Sequence, residues 1–302
     1  MDNRHLHRLA DFKSRSWIAR TWSNFRAQRA ANATSLAVVS WHVLLCAIAA
    51  VNVFLWSLSA IAVIHAQPAT HAAAIAADHV QLILCAAYVF GCAYRCVLPV
   101  YDIPRVVLVD SRLSSVIVGR SVATIAELCF AVQWALMLHR MALLSDSLPA
   151  QAVSLTIVPL IVLAEVCSWY AVLTTAQRAH AFENSIWGVS AALVVAGLLL
   201  VEPSRVAGLY LPMIAWCVGG AAYVAYIFLF DVPAYWSRWR ADRANGHRNL
   251  SIGQGVLDVC RRRIVSHRWE IWRNEIVWMS LYFTLGVWSS VSLVYASIML
   301  GG

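Results

Sequence analysis

The sequence predicts an all-α, polytopic membrane protein: a bundle of seven transmembrane helices with its N-terminus cytoplasmic and its C-terminus outside. Three observations carry that expectation. Of the 302 residues, 61% are hydrophobic and only 13% charged, where a soluble globular chain carries about 25% charged residues. Apolar runs of roughly 20 residues, the length a helix needs to cross a ~30 Å hydrocarbon core, recur along the chain without a long polar insert. The arginines then fall into alternate connections, and the excess of basic residues on cytoplasmic loops sets the threading.

The first 33 residues read as a basic cytoplasmic tail, with Arg4, Arg8, Lys13, Arg15, Arg20, Arg26 and Arg29. Within it, "DFKSRSWIARTWSNF" has the character of an interfacial helix. Residues 34–302 form the membrane domain, with spans expected at 35–64, 79–99, 121–143, 152–175, 184–201, 207–230 and 275–300. Each must be helical, because lipid offers no partner to an open backbone. The fifth, "IWGVSAALVVAGLLLV", is short and needs part of the preceding "ENS" to cross. Among the connections, 100–120 carries Arg105, Arg112 and Arg120, 176–183 carries Arg178, and 231–274 carries 9 arginines. The alternating ones are nearly bare: 65–78 and 144–151 have none and 202–206 only Arg205, with Arg140 on the same side. In loop 231–274, Ile252, Val256, Cys260 and Ile264 recur every four residues beside Arg261–Arg263, the pattern of a helix lying in the headgroup layer.

This arrangement excludes several classes of function. The one lysine, Lys13, lies outside every span, so no retinal Schiff base can form in the bundle. The net charge of +8 sits in the tail and loops, which assigns it to anionic lipid headgroups and not to nucleic acid. The 8 cysteines show no CxxC and fall almost entirely in spans, as reduced thiols packing like small hydrophobes do. A bacterial inner membrane is the expected location.

Ionisable residues inside a span are costly, and they mark either a buried pairing or function. Glu127, in "RSVATIAELCFAVQWALMLHR", is placed about 10 Å from the cytoplasmic edge at 1.5 Å per residue, and Glu165, in "LAEVCSWYAVLTT", about 15 Å from it. Helical spacing puts Thr124, Glu127, Ala131 and Trp134 on one face of the third span, and Glu165, Ser168, Trp169 and Val172 on one face of the fourth. Tyr88, Cys92 and Arg95 share a face of the second. Converging faces give a pocket with Glu127 and Glu165 as candidate acid/base groups and Arg95, Tyr88, Trp134 and Trp169 as substrate-binding residues. A buried bridge from Arg95 to one of the acids is the simpler account, but two acids and one such arginine leave one carboxylate unmatched. An unmatched acid in apolar surroundings tends to keep its proton, the state a general acid or proton carrier needs.

Two H-x-x-E matches, "HAFE" at 180–183 and "HRWE" at 267–270, place His180 with Glu183 and His267 with Glu270 on shared helical faces. They are candidate metal ligands, although carboxylate di-iron sites use the reverse order, Glu-x-x-His, and solvated loop residues are the plainer reading. His65, His71, His79 and His139, with Asp78, gather on the opposite side as weaker candidates for a metal or haem. Nothing in the sequence fixes a cofactor. The residues point to an enzyme acting on a lipid-like or isoprenoid-like substrate. A proton-coupled transporter, an assembly or accessory subunit, and a di-iron or haem oxidoreductase stand as alternatives.

Overall fold

The computed structural model describes residues 35–65 and 72–301; the basic tail with its expected interfacial helix, Trp17, Trp22 and His71 lie outside the described residues. Seven helices are long and apolar enough to cross a membrane, as a multi-pass membrane protein requires. They are α1 (Leu36–His65), α2 (Ala72–Val97), α3 (Val116–Leu144), α4 (Leu148–Thr174), α5 (Gln177–Leu199), α6 (Tyr210–Ala244) and α8 (Trp269–Gly301). A short helix, α7 (Ile252–Arg261), lies between the last two. The outer faces are apolar: Leu44, Val51, Phe54, Leu58 and Ile61 of α1 are all exposed, as suits contact with lipid tails.

The helix ends extend past the hydrophobic boundaries at both ends of the bundle. At the arginine-poor end α2 starts at Ala72 and not 79 and α4 at Leu148 and not 152, and four more extensions lie at the other. α3 starts at Val116 and not 121, α5 at Gln177 and not 184, α8 at Trp269 and not 275, while α6 runs on to Ala244 and not 230. These last four lie at the arginine-rich end. Hydropathy marks where charge begins, but a helix continues past that point when its charged side chains find partners within the protein. The segment 231–244 is therefore helix and not loop. Asn184 and Ser185, expected to open the fifth helix, lie two turns inside it, where their side chains bond back to the carbonyls of His180 and Ala181.

A small sheet departs from the all-helical expectation. Strands β1 (Val100–Tyr101) and β2 (Val106–Val107) pair antiparallel, and β3 (Ile264–Val265) joins β2 in parallel. Ile264 thus belongs to a strand, while Ile252, Val256 and Cys260 do form an exposed face of α7. The other face of α7 is docked. Val259 is buried, and a Cβ on Gly255 would lie 2.0 Å from the Leu173 carbonyl oxygen, so only glycine lets α7 approach the end of α4 so closely. A capping box between Ser251 and Gln254 starts the helix. Arg105, almost fully buried, ties the turn between β1 and β2 to α7 through Asp258 at 2.9 Å.

Each of α1 to α6 packs on its neighbour in sequence, and α8 packs against α1, α2 and α3. Buried polar groups pin this last contact. Gln133 of α3 bonds to the Gln81 carbonyl (3.2 Å) and the Ser290 carbonyl (3.3 Å). Towards the opposite end, Asp78 accepts from Ser297 and lies 3.7 Å from Arg140. Trp272 is fully buried against Trp41, ring centroids 5.6 Å apart. α6 meets α8 through stacked rings: Trp278 lies on Tyr226 at 5.6 Å and on Tyr223 at 6.4 Å.

Both of those helices contain a π-helical turn, Ile227–Asp231 in α6 and Tyr282–Gly286 in α8. Such turns shift side-chain register and free backbone groups, and they concentrate at functional sites. Asn52 of α1 donates to the Phe283 carbonyl at 2.7 Å within the second turn. In the small-residue stretch of α6, Gly220 has a real packing need, since its Cβ would fall 2.5 Å from Val195, whereas Gly219 faces open space.

Candidate functional site

A cavity of about 160 Å³ lies at the arginine-rich end of the bundle. α2 contributes Cys92 and Arg95 to its wall, and α3 contributes Arg120 and Glu127. From α5 come His180, Glu183 and Trp187. The π turn of α6 and the helix beyond it supply Asp231, Tyr235 and Arg238, and α8 supplies Glu275, Trp278 and Tyr282. Tyr101 and Asp102, in and just after β1, close the end. Burial and the neighbouring Glu275 carboxylate raise the Tyr101 phenol above its ordinary range, so it stays neutral and able to donate.

Arg120 organises the inner wall. Its Nη2 donates to Glu165 Oε2 at 2.6 Å and to Glu127 Oε2 at 2.8 Å, and Nη1 lies 3.9 Å from Glu183 Oε1. The Thr124 hydroxyl donates to the same Glu165 oxygen at 2.6 Å, and the Trp169 indole donates to Thr124 at 3.0 Å. Tyr282, in the π turn of α8, donates to Glu127 Oε1 at 3.2 Å. His180 Nδ1 and Glu183 Oε2 are 2.6 Å apart, which orients the imidazole.

The residues singled out from the sequence divide accordingly. Glu127 lines the cavity; Glu165 lies behind Arg120, only 4% exposed, and does not. Arg95 lines the cavity but meets neither acid: it lies 3.6 Å from Asp102 and donates to the Val100 carbonyl at 3.1 Å. The cation between the two acids is Arg120, which the sequence had placed in a loop, and it leaves neither acid unmatched. Trp169 acts through Thr124. Tyr88 is fully buried and stacked on Phe130 at 4.4 Å. Trp134 lies in a separate core cluster, edge-on to Trp216 at 5.3 Å, and is not brought to the cavity.

His180 and Glu183 are buried in the bundle and not solvated. His267 and Glu270 lie elsewhere, Glu270 exposed beside Arg268 at 3.6 Å. The two H-x-x-E pairs therefore do not meet, and among the described residues no three metal-ligating side chains converge. His65 and His79 bond to carbonyls of their own helices, and His139 faces Ser154 at 3.0 Å. His42 bonds across to the Val97 carbonyl at 3.0 Å, as its position in the first span suggests.

Arg120 could have been found from the sequence. It stands four residues before Thr124 and seven before Glu127, on the face already drawn through those two. Asp231 and Arg238 gave no such signal, because the helix that carries them extends beyond its apolar run. The chain matches no family model, no curated protein and no solved structure.

Proposed function

We propose that the chain is an inner-membrane enzyme of a bacterial cell that acts on a lipid-like or isoprenoid-like substrate, with Glu127 as the group that gives or takes the proton. The observation that carries this reading is the division of labour around Arg120. Glu165, Thr124 and Trp169 hold the guanidinium from behind, and Glu127 extends from it into the cavity wall, within reach of the Tyr282 hydroxyl. A proton lost or gained at Glu127 is then balanced by Arg120 on one side and Tyr282 on the other. His180 with Glu183 supplies a second proton-handling pair on the facing helix.

The cavity lies at the end that carries the basic loops, which supports access from the cytoplasmic side, with the N-terminus inside and anionic headgroups around the arginines. An amphiphile would place its polar head among the charged groups and pass its chain outward between α6 and α8. The test is turnover in nanodiscs loaded with a bacterial polar-lipid extract, followed by mass spectrometry. Wild-type protein changes the mass of at least one lipid and Glu127→Gln does not; a lipid profile unchanged by the wild type overturns the reading.

One further observation favours a second reading, the proton-coupled transporter: the two π turns flank the cavity on helices whose contact there includes the stacked rings of Tyr223, Tyr226 and Trp278, a seam able to part. Solute uptake into proteoliposomes that requires a pH gradient would select it over the enzyme.

A further inference from the structure

Resting on the reading of this cavity as a lipid-headgroup site, we infer that the headgroup it receives is a cationic amine, an ammonium carried by an amphiphile, held between Asp231 and Glu275 against an aromatic wall. The charge inventory comes first. Five carboxylates line the cavity (Asp102, Glu127, Glu183, Asp231, Glu275) against three guanidiniums, those of Arg95, Arg120 and Arg238. The guanidiniums of the inner wall are already matched. Arg120 is shared by Glu127 and Glu165, and Arg95 faces Asp102. An anionic headgroup arriving there would have to displace a carboxylate of the protein.

The remaining groups are two acids and one guanidinium: Arg238 lies near both Asp231 and Glu275, and a single arginine leaves one negative charge of the two over. Among the described residues, neither Asp231 nor Glu275 forms an ion pair. They come from the two helices that meet at the ring-stacked seam. Arg238 stands over the Tyr235 ring, 5.1 Å from its centroid, so this wall already holds one cation by its aromatic face. Carboxylates taken out of water require a counter-cation or a proton. The rings of Tyr101, Tyr223, Tyr235 and Trp278 line the same cavity. Aromatic faces attract ammonium groups, quaternary ones included, and such cages are their usual receptors. An excess of acid over guanidinium and the π-faces thus select the same charge by independent means.

The experiment measures binding, so it does not depend on turnover. Full-length protein in a neutral maltoside detergent is titrated with octyltrimethylammonium chloride by isothermal calorimetry, with octyl sulfate as the anionic counterpart of equal chain length. The ammonium amphiphile binds saturably and octyl sulfate neither binds nor competes. The single variants Asp231→Asn and Glu275→Gln each weaken binding, and the double variant weakens it by about tenfold or more, with elution as a single sharp peak showing that each is folded. Glu270→Gln, at an exposed position outside the cavity lining, keeps the binding, and because the experiment reads no turnover the two readings fail separately. Preferential binding of octyl sulfate, ammonium binding unchanged in both single variants, or no saturable ammonium binding would each overturn the inference. The last outcome would mean that Arg238 and protons satisfy the pair.

Discussion

Arg120 Nη2 lies 2.6 Å from Glu165 Oε2 although 45 positions separate the two residues. This contact joins α3 to α4 in the interior of the bundle, and it assigns different tasks to two carboxylates of the same type. The Glu165 oxygen that meets Arg120 also accepts from Thr124, so it is fixed twice. Glu127 shares the guanidinium at 2.8 Å but keeps its other oxygen toward Tyr282 and the cavity. The fixed acid holds the cation, and the cation holds the acid that faces the cavity.

Removing the shared cation should therefore be far worse than removing one acid. Arg120→Met leaves Glu127, Glu165 and Glu183 crowded without their arginine, and breaking a buried pair from one side costs about 3–5 kcal/mol. The expected result is a large loss of monodisperse protein on heating, measured by size-exclusion chromatography of detergent extracts. Adding Glu165→Met to Arg120→Met should recover part of the loss, because it removes one of the stranded charges. A double variant no more stable than Arg120→Met would show that the pair is not coupled.

The second prediction concerns the π turn of α8. A Cβ on Gly286 would fall 2.6 Å from the Tyr88 hydroxyl oxygen. That ring cannot easily withdraw, since it is fully buried and stacked on Phe130. Gly286→Ala should overpack the site at a cost of about 1–3 kcal/mol. The hydroxyl itself has no hydrogen-bond partner among the described residues, so Tyr88→Phe alone should be neutral or slightly stabilising, and it should rescue Gly286→Ala. Thermal stability of the three variants, measured side by side, checks the pattern. A destabilising Tyr88→Phe would place a substrate or water contact on that hydroxyl.

The seven spans were legible because lipid imposes a simple rule on composition, and the small-residue and aromatic features of α6 and α8 do not disturb it. The site was legible in part, for a physical reason that Arg120 and Glu183 share. Both lie just beyond the apolar run of their helix, where charge usually signals water. Here the charges neutralise one another inside the protein, so the helices continue and carry the site with them. Periodicity still reached Arg120, through Thr124 and Glu127. It could not reach Glu165's tie to Arg120, or the separation of Trp134 from the cavity, because both depend on how neighbouring helices are rotated.

A third prediction follows from Gly255, whose absent Cβ makes room for the Leu173 carbonyl at the end of α4. Gly255→Ala cannot be absorbed by a side-chain movement, since the obstacle is backbone, so α7 must lift away. Lifting breaks the bond from the Leu250 amide to the Thr174 carbonyl (2.9 Å) and strains the Arg105–Asp258 pair. The expected consequence is rapid proteolytic cleavage between Ala244 and Ile252 in membranes that otherwise resist the protease. Asp258→Asn should open the same site more weakly. An unchanged cleavage rate in Gly255→Ala would mean that α7 is not docked as described.

The last prediction tests the threading. Cys260 is exposed on α7 at the arginine-rich end, while Cys85, Cys92 and Cys96 are buried and Cys46, Cys129, Cys167 and Cys217 are partly covered within the long helices. If the basic loops are cytoplasmic, a membrane-impermeant maleimide should leave Cys260 unmodified in intact cells and label it in inverted vesicles. Ser204 gives the opposite control: it is exposed at the other end, in the turn between α5 and α6. Ser204→Cys in a Cys260→Ser background should be labelled from outside the cell. Both sites are read by mass shift on a gel, without any assay of function. Reversed labelling at the two positions would invert the protein in the membrane and open the charged cavity to the outside, so that any amphiphile it binds would arrive from the outer leaflet.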